Sequence, residues 1–197
     1  MKKIISIFFF IPLFTPLFSQ NLDIDILKNI NLNRNKNLDH TFKTITNTTA
    51  PLSIAAPVII TTLGLIEHDS TKTNKGLCIG ASMFLATSIS VVLKYAINRP
   101  RPFITYPALD KVSNAGSPSF PSGHTSDAFA TATSLSLAYQ KWYVIAPSYL
   151  WACSVGYSRM HLGVHYPSDV LAGAFIGSSS AYLCYKANSW LYKHRHK

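Results

Sequence analysis

The chain has 197 residues, which points to a single domain. Apolar residues make up 48% of it and charged residues only 13%, with a mean hydropathy of +0.17, a balance that argues against an ordinary small soluble protein and for a membrane. The formal net charge is +10, from 18 basic and 8 acidic residues, which suits an anionic substrate or lipid; the basic residues lie scattered between apolar runs with no zinc-finger spacing or RNA-binding aromatic signature, so nucleic acid is not an expected partner.

Residues 1–19 read as a signal peptide or an N-terminal anchor. Lys2 and Lys3 precede an apolar run from Ile4 to Phe18, and Ser19 stands before Gln20 as a small residue at a cleavage site. Leu17, at the −3 position, is larger than such sites usually carry. Residues 20–49 are polar and rich in Asn and Lys. Leu22, Ile26 and Ile30 recur at helical spacing with Leu27 beside them, whereas Ile24 fits a strand alternation. An amphipathic arm on the outer membrane boundary is expected, with an ordinary solvated arm as the alternative.

Residues 50–188 hold five apolar segments: Ala50–Ile66, Leu77–Ile97, His124–Tyr139, Trp142–Tyr157 and Val170–Tyr185. A spanning helix wants about 20 apolar residues, and only Leu77–Ile97 meets that comfortably. The near-absence of charge within the segments predicts an all-α transmembrane helical bundle, with five or six membrane helices according to the fate of the N-terminal segment. A soluble helical bundle is the alternative. If residues 20–49 lie outside, successive crossings place the basic tail, residues 189–197, in the cytoplasm, as the excess of Lys and Arg there favours. Trp142, Tyr143, Trp190 and Tyr192 then flank the inner ends. Gly173 and Gly177 form a G-x-x-x-G expected to pack within the bundle. Cys78, Cys153 and Cys184 lie in apolar runs at no metal-ligand spacing and read as small buried residues.

The same crossings bring three polar clusters to one side. Lys94 stands one turn before the end of its helix, and Pro100 and Pro102 then force an extended chain, so that Arg99 or Arg101 can turn back beside it. Pro121-Ser122-Gly123-His124 is a turn entering a helix. Ser122 is placed to cap that helix, Gly123 admits a close ligand, and His124 lies beside the anion site of the helix N-terminus. Asp127, placed in the first turn, is assigned no chemistry. In the third cluster Arg159 ends one helix, and His165 and Asp169 stand four apart across the start of the next. A carboxylate on one ring nitrogen fixes the tautomer and frees the other lone pair, which describes an activated nucleophile. His161 is the rival, with no acid at a suitable spacing. His124, His161, His165 and Asp169 could in principle ligate a metal, but three cations beside them would repel it, and no metal or other cofactor is expected.

Lys94-x6-Arg101-Pro102, Pro121-Ser122-Gly123-His124 and Ser158-Arg159-x5-His165-x3-Asp169 resemble the tripartite signature of the type 2 phosphatidic acid phosphatase and vanadium haloperoxidase superfamily, in the right order over about 76 residues. The resemblance implies an α-helical bundle, and it selects Arg101 over Arg99. It implies that Lys94, Arg101 and Arg159 hold phosphoryl oxygens and that Ser122 and Gly123 bind a further oxygen. His124 protonates the leaving group, His165 attacks phosphorus and Asp169 orients His165. The expected activity is metal-independent removal of phosphate from a membrane lipid phosphate or pyrophosphate. The expected place is a bacterial inner membrane, with the site on the periplasmic side. Membrane members usually have six spanning helices, which an uncleaved N-terminal segment would restore here. Alternatives are a secreted soluble acid phosphatase, a vanadate-dependent haloperoxidase and a non-catalytic lipid- or phosphate-binding membrane protein.

Overall fold

A computed structural model of the chain describes residues 16–195. The expected N-terminal signal, up to residue 15, and the last two residues of the basic tail lie outside the described residues. The described chain folds into helices α1 (Pro16–Leu32), α2 (Asp39–Asn47), α3 (Thr49–Ile66), α4 (Ser70–Ile97), α5 (Pro102–Thr105), α6 (Gly123–Tyr139), α7 (Trp142–His161) and α8 (Pro167–Arg195). A 3-10 turn at Lys36–Leu38 joins α1 to α2, and no strand occurs among the described residues.

The five long helices, α3, α4, α6, α7 and α8, match the five apolar segments. They run past them wherever local signals allow. α4 starts at Ser70 because the Asp69 side chain caps it, accepting the Lys72 backbone N–H at 3.0 Å. α7 runs past the end of its apolar segment at Tyr157, through Ser158 and Arg159, to His161. Apolar runs mark only the lipid-facing stretch, whereas the backbone ladder continues into the polar ends.

α6 is the central helix and packs on α3, α4, α7 and α8. Its composition explains this place. Thr125, Ser126, Ala128, Ala130, Thr131, Ala132, Thr133 and Ser134 are all buried, and such small residues let neighbouring backbones approach from several sides. Gly173 and Gly177 of α8 face it directly. A Cβ on Gly173 would stand 2.6 Å from the Ser122 carbonyl oxygen, and one on Gly177 2.2 Å from that of Ser126. The G-x-x-x-G therefore serves packing inside the bundle.

The large apolar side chains point the other way. Ile54, Val58, Ile59 and Leu65 of α3, Phe84 and Val92 of α4, Leu150 of α7, and Leu171, Phe175 and Leu183 of α8 are all exposed. Small and polar inside, large and apolar outside is the pattern of a bundle that lives in lipid, since water would not tolerate so extended an apolar surface. Two stretches, Lys36–Ile66 and Ser70–Thr105, are long and apolar enough to cross a membrane by length and composition. The fold is a membrane helical bundle. Two smaller expectations fail. None of the cysteines is buried: Cys153 is exposed, and Cys78 and Cys184 are half-buried. Asp127 lies beyond the first turn of α6, where its carboxylate accepts the Thr87 hydroxyl at 2.7 Å.

The arm is part of the bundle's head. In α1, Asp23, Ile24, Leu27 and Asn31 are buried, whereas Leu22 and Ile26 point outward, so the apolar stripe read from the sequence is not the packed face. Ile24 and Leu27 form a small core with Leu109 and Tyr166. Asn31 ties three segments together. Its amide donates to the carbonyls of Asp110 (3.2 Å) and His161 (2.9 Å) and accepts the Asp110 N–H (2.9 Å). Gly163 makes room for this junction. It adopts φ +71°, and a Cβ there would meet the Asp110 carbonyl oxygen at 2.3 Å.

Candidate active site

The three polar clusters converge at one end of the bundle. Lys94 occupies the last turn of α4, which Asn98 closes in the left-handed conformation (φ 49°), its N–H donating to the Lys94 carbonyl at 2.9 Å. That turn reverses the chain, so that Arg101 can begin α5 in extended geometry (φ −72°, ψ 151°). Ser122, Gly123 and His124 start α6, Arg159 lies in the last turn of α7, and Asp169 in the first turn of α8. The linker after α7 folds back, with Val164 N–H donating to the Arg159 carbonyl at 3.1 Å, and presents His165 to the centre.

His165 is fully buried. Arg101 Nη1 donates to its Nε2 at 3.0 Å, which requires a lone pair there and puts the proton on Nδ1. Nδ1 faces Asp169 Oδ2 at 3.4 Å and has no closer hydrogen-bond partner, so the pair is looser than an aligned hydrogen bond. Burial pushes the His165 imidazole down to about 3 from its ordinary value; Asp169 works against that shift, and the positive charges of Arg101 and Arg159 add to it. The Arg101 contact and this downward shift both favour the neutral ring, with its lone pair on Nε2.

The cations are unpaired. Lys94 Nζ donates to the Pro118 carbonyl at 2.8 Å. Arg101 donates to the carbonyls of Ser117 and Val164, each at 2.8 Å. Arg159 Nη1 donates to Thr46 Oγ1 at 3.0 Å, and its buried Nε has no partner. Among the described residues none of the three forms a salt bridge. Taking an ion out of water costs several kcal/mol even after relaxation. Three such charges, two of them buried Arg, leave a deficit that an anionic ligand would offset. His124 stands within electrostatic reach of all three. Gly123 keeps the space beside Lys94 open: a Cβ on it would only touch Lys94 Cε, at 3.9 Å.

Three sequence expectations are corrected in detail. Ser122 occupies the cap position of α6, but its hydroxyl pairs with Thr125 Oγ1 at 2.8 Å and caps nothing. The first N–H groups of α6 thus remain free of side-chain caps. Arg99 does not compete with Arg101 for the same place. It grips Asp169 Oδ1 from behind (2.8 Å), whereas Arg101 meets His165. His161 does have an acid. Asp39 of the arm lies 2.9 Å from its Nε2 and is itself held by Arg34. That acid is 122 residues away in sequence, beyond any spacing rule. The residues offered for a metal site do not gather into a group of three or more potential ligands among the described residues.

Ser119, Asp23, Thr46 and Ser168 also belong to the site and were not read from the sequence. Ser119 Oγ donates to Asp169 Oδ2 at 2.5 Å, and the Tyr166 N–H donates to the same oxygen at 2.9 Å. Ser119 sits in the Ser117–His124 turn, a visible though unspecific signal. Asp23 and Thr46 carry none, because only the folded arm brings them near. A cavity of about 1430 Å³ lined by His68, Asn74, Lys75 and Gln140 among others opens at the opposite end of the bundle and contains none of these residues.

A model of the PAP2 superfamily matches residues 75–193, more than half of the chain and all of the predicted site. The chain belongs to the PAP2 superfamily. Among solved structures, it resembles Aquifex aeolicus LpxE with a TM-score of 0.73 and 29% identity, covering 84% of this chain and 95% of that one. It resembles the transmembrane PAP2-type phosphatidylglycerolphosphate phosphatase of Bacillus subtilis with a TM-score of 0.75 and 26% identity, covering 87% of each. A curated relative, the decaprenylphosphoryl-5-phosphoribose phosphatase of Mycolicibacterium smegmatis, is 40% identical over 105 residues, 52% of this chain and 54% of that protein. The chain thus spans about half the length of that relative. By name, the Bacillus subtilis relative is a transmembrane phosphatase and the Mycolicibacterium smegmatis relative a phosphatase of a decaprenyl-linked phosphate, in keeping with the apolar outer surface.

Proposed function

We propose that this protein hydrolyses the phosphate or pyrophosphate of a membrane lipid through a phosphohistidine on His165. The observation that carries the reading is a buried neutral histidine among three unpaired cations at the end of a lipid-facing bundle. His165 Nε2 attacks phosphorus in line with the leaving oxygen, forming the N–P bond as the P–O bond to the lipid breaks. His124 gives its proton to that oxygen. Water then attacks the phosphohistidine, His124 takes up a proton from it, and inorganic phosphate leaves with Nε2 restored. Lys94, Arg101 and Arg159 compensate the charge spread over the equatorial oxygens, and the uncapped N–H of Gly123 binds a further one beside Ser122, whose own N–H is given to the Asp169 carbonyl at 3.0 Å. Arg101 has a second task. It holds the Nε2 lone pair in the free site and must pass its N–H to a phosphoryl oxygen as substrate arrives. Phosphate-monoester hydrolysis without a catalyst is slow enough to need up to about 10²¹-fold acceleration, so preorganised charge has to supply much of the effect.

The lipid reading follows from where the site lies. A phosphate at the bilayer surface reaches the head of the bundle while its chains stay along the apolar helices. The names of the relatives, which include phosphatases of prenyl-linked and glycerol-linked lipids, support a lipid phosphate. The extended apolar surface does not fit a secreted soluble acid phosphatase. The site is assigned to the periplasmic side of a bacterial inner membrane, with residues 1–19 as signal or anchor. Phosphate release by purified protein in detergent tests the reading. Lipid phosphates should be hydrolysed in the presence of EDTA, and a folded His165→Ala protein should release none. Hydrolysis confined to soluble phosphates, or abolished by EDTA, would overturn it.

A further inference from the structure

Arg99 is the one arginine of the site that is fully matched by carboxylates. Nη1 donates to Asp169 Oδ1 (2.8 Å) and to Ser168 Oγ (2.7 Å), and Nη2 donates to Asp23 Oδ2 (2.8 Å). Its guanidinium lies 3.8 Å above the centre of the Tyr166 ring. Asp23 is buried in α1 and secures the far side, accepting the Ser168 N–H at Oδ1 (2.8 Å) and the Ser168 hydroxyl at Oδ2 (2.5 Å). The chain of contacts thus runs from the arm to the nucleophile: Asp23, Arg99, Asp169, His165.

We infer that Arg99, anchored by Asp23 of the N-terminal arm, is a positioning residue that aims the Asp169 carboxylate at His165. The inference rests on the phosphatase reading for its kinetic consequence and on geometry alone for its structural one. A carboxylate beside a neutral imidazole can rotate freely about its last bond. Asp169 is prevented from doing so because each oxygen has its own donors: Arg99 on Oδ1, Ser119 and the Tyr166 N–H on Oδ2. Oδ2 is the oxygen that faces His165 Nδ1. Without Arg99, Oδ1 is left buried without a donor, and the carboxylate turns to find one. The arm therefore has a role at the reacting centre without touching substrate. Arg99 is also a charge. The groups facing the His165–Asp169 pair are Lys94 of α4, Arg99 and Arg101 of the following linker, His124 of α6, Arg159 of α7 and, through Arg99, Asp23 of α1. Asp23 keeps Arg99 directed backward, so that it does not join the cations meant for phosphate.

The test uses the full chain in detergent with 15N-labelled histidine. The Nδ1–H signal of His165 reports its contact with Asp169 whether or not any substrate is turned over. Arg99→Gln should move that signal and speed its exchange with solvent, and Arg99→Lys should restore it in part. In kinetics, Arg99→Gln should lower kcat about 10- to 100-fold while KM stays within about twofold, because a positioning error acts on the transition state. In an Asp169→Asn background the same substitution should cost nothing further, since Arg99 acts through Asp169. An unmoved Nδ1–H signal in Arg99→Gln, or full additivity with Asp169→Asn, would overturn the inference. Should Arg99→Gln not fold, Asp23→Asn, which withdraws the outer anchor, must move the signal, and an unmoved signal there overturns it equally. A moved signal in a protein that releases phosphate from no lipid would sink the proposed activity and leave the positioning role standing.

Discussion

His165 and His161 are both buried, both lie near the end of α7 and both face an aspartate. What separates them is the other ring nitrogen and the neighbours. His161 Nε2 is spent on Asp39, and its ring packs 4.4 Å from that of Phe42, in a structural junction. His165 presents Nε2 to Arg101 and the cation cage. In the sequence His165 was favoured for its i, i+4 acid, but the reason given against His161 does not hold in the fold, because its acid is supplied by the arm. Local spacing reports only partners within one element. The depressed His165 value also has a consequence for stability. The folded protein resists protonating this ring until about pH 3, whereas the unfolded chain takes the proton near the ordinary histidine value. The unfolded state binds more protons in that window, so this contribution is fully present above about pH 6.5 and is lost as the pH falls toward 3. The melting temperature should therefore fall across that range, and His165→Asn should make the fall shallower by the share of one proton. An unchanged slope in the variant would mean that the ring is protonated in the fold.

At the scale of elements, hydrophobic runs placed all five long helices and the C-terminal ends of α3, α4 and α6, but missed the polar extensions at the start of α4, the end of α7 and both ends of α8. Asp69 sets the early start of α4 by capping it. Asn98 and Gln140 close α4 and α6 where the apolar runs stop, and they do so by adopting positive φ. The arm was the least legible element. Its packed face combines Ile24 and Leu27 with polar Asp23 and Asn31, so hydrophobic periodicity selected the wrong stripe. Contacts between elements make the sharper prediction. Replacing a helical glycine by alanine ordinarily stabilises by about 0.5–1 kcal/mol. At Gly177 the added methyl would meet the backbone of α6, which cannot yield without separating α6 from α8. Gly177→Ala should therefore lower the melting temperature in detergent, whereas Gly116→Ala, with nothing within 4 Å of the new Cβ, should leave it within error of the wild type. Equal melting temperatures for Gly177→Ala and the wild type would contradict the packing described.

Taken whole, the molecule reverses the usual arrangement of a soluble protein. Its centre is built of Ala, Ser, Thr and Gly on α6 and α8, and its large apolar side chains cover the outside. That reversal lets five helices deliver polar groups from three distant segments to one end without placing them against lipid. The joint order of the three clusters made the site readable before any coordinates, since each cluster alone is an ordinary turn, cap or snorkelling cation. Two supporting residues were unreadable for the complementary reason: Asp23 and Thr46 hold the site only through contacts made after folding. The central claim is that phosphorus is transferred to His165 Nε2 before water takes it. Rapid acid-free quenching of the protein with a 32P-labelled lipid phosphate tests this directly. The account predicts a transient label that survives alkali, is lost in acid, maps to His165 and is absent from folded His165→Ala. Turnover with no labelled protein, or a label that persists in His165→Ala, would contradict it.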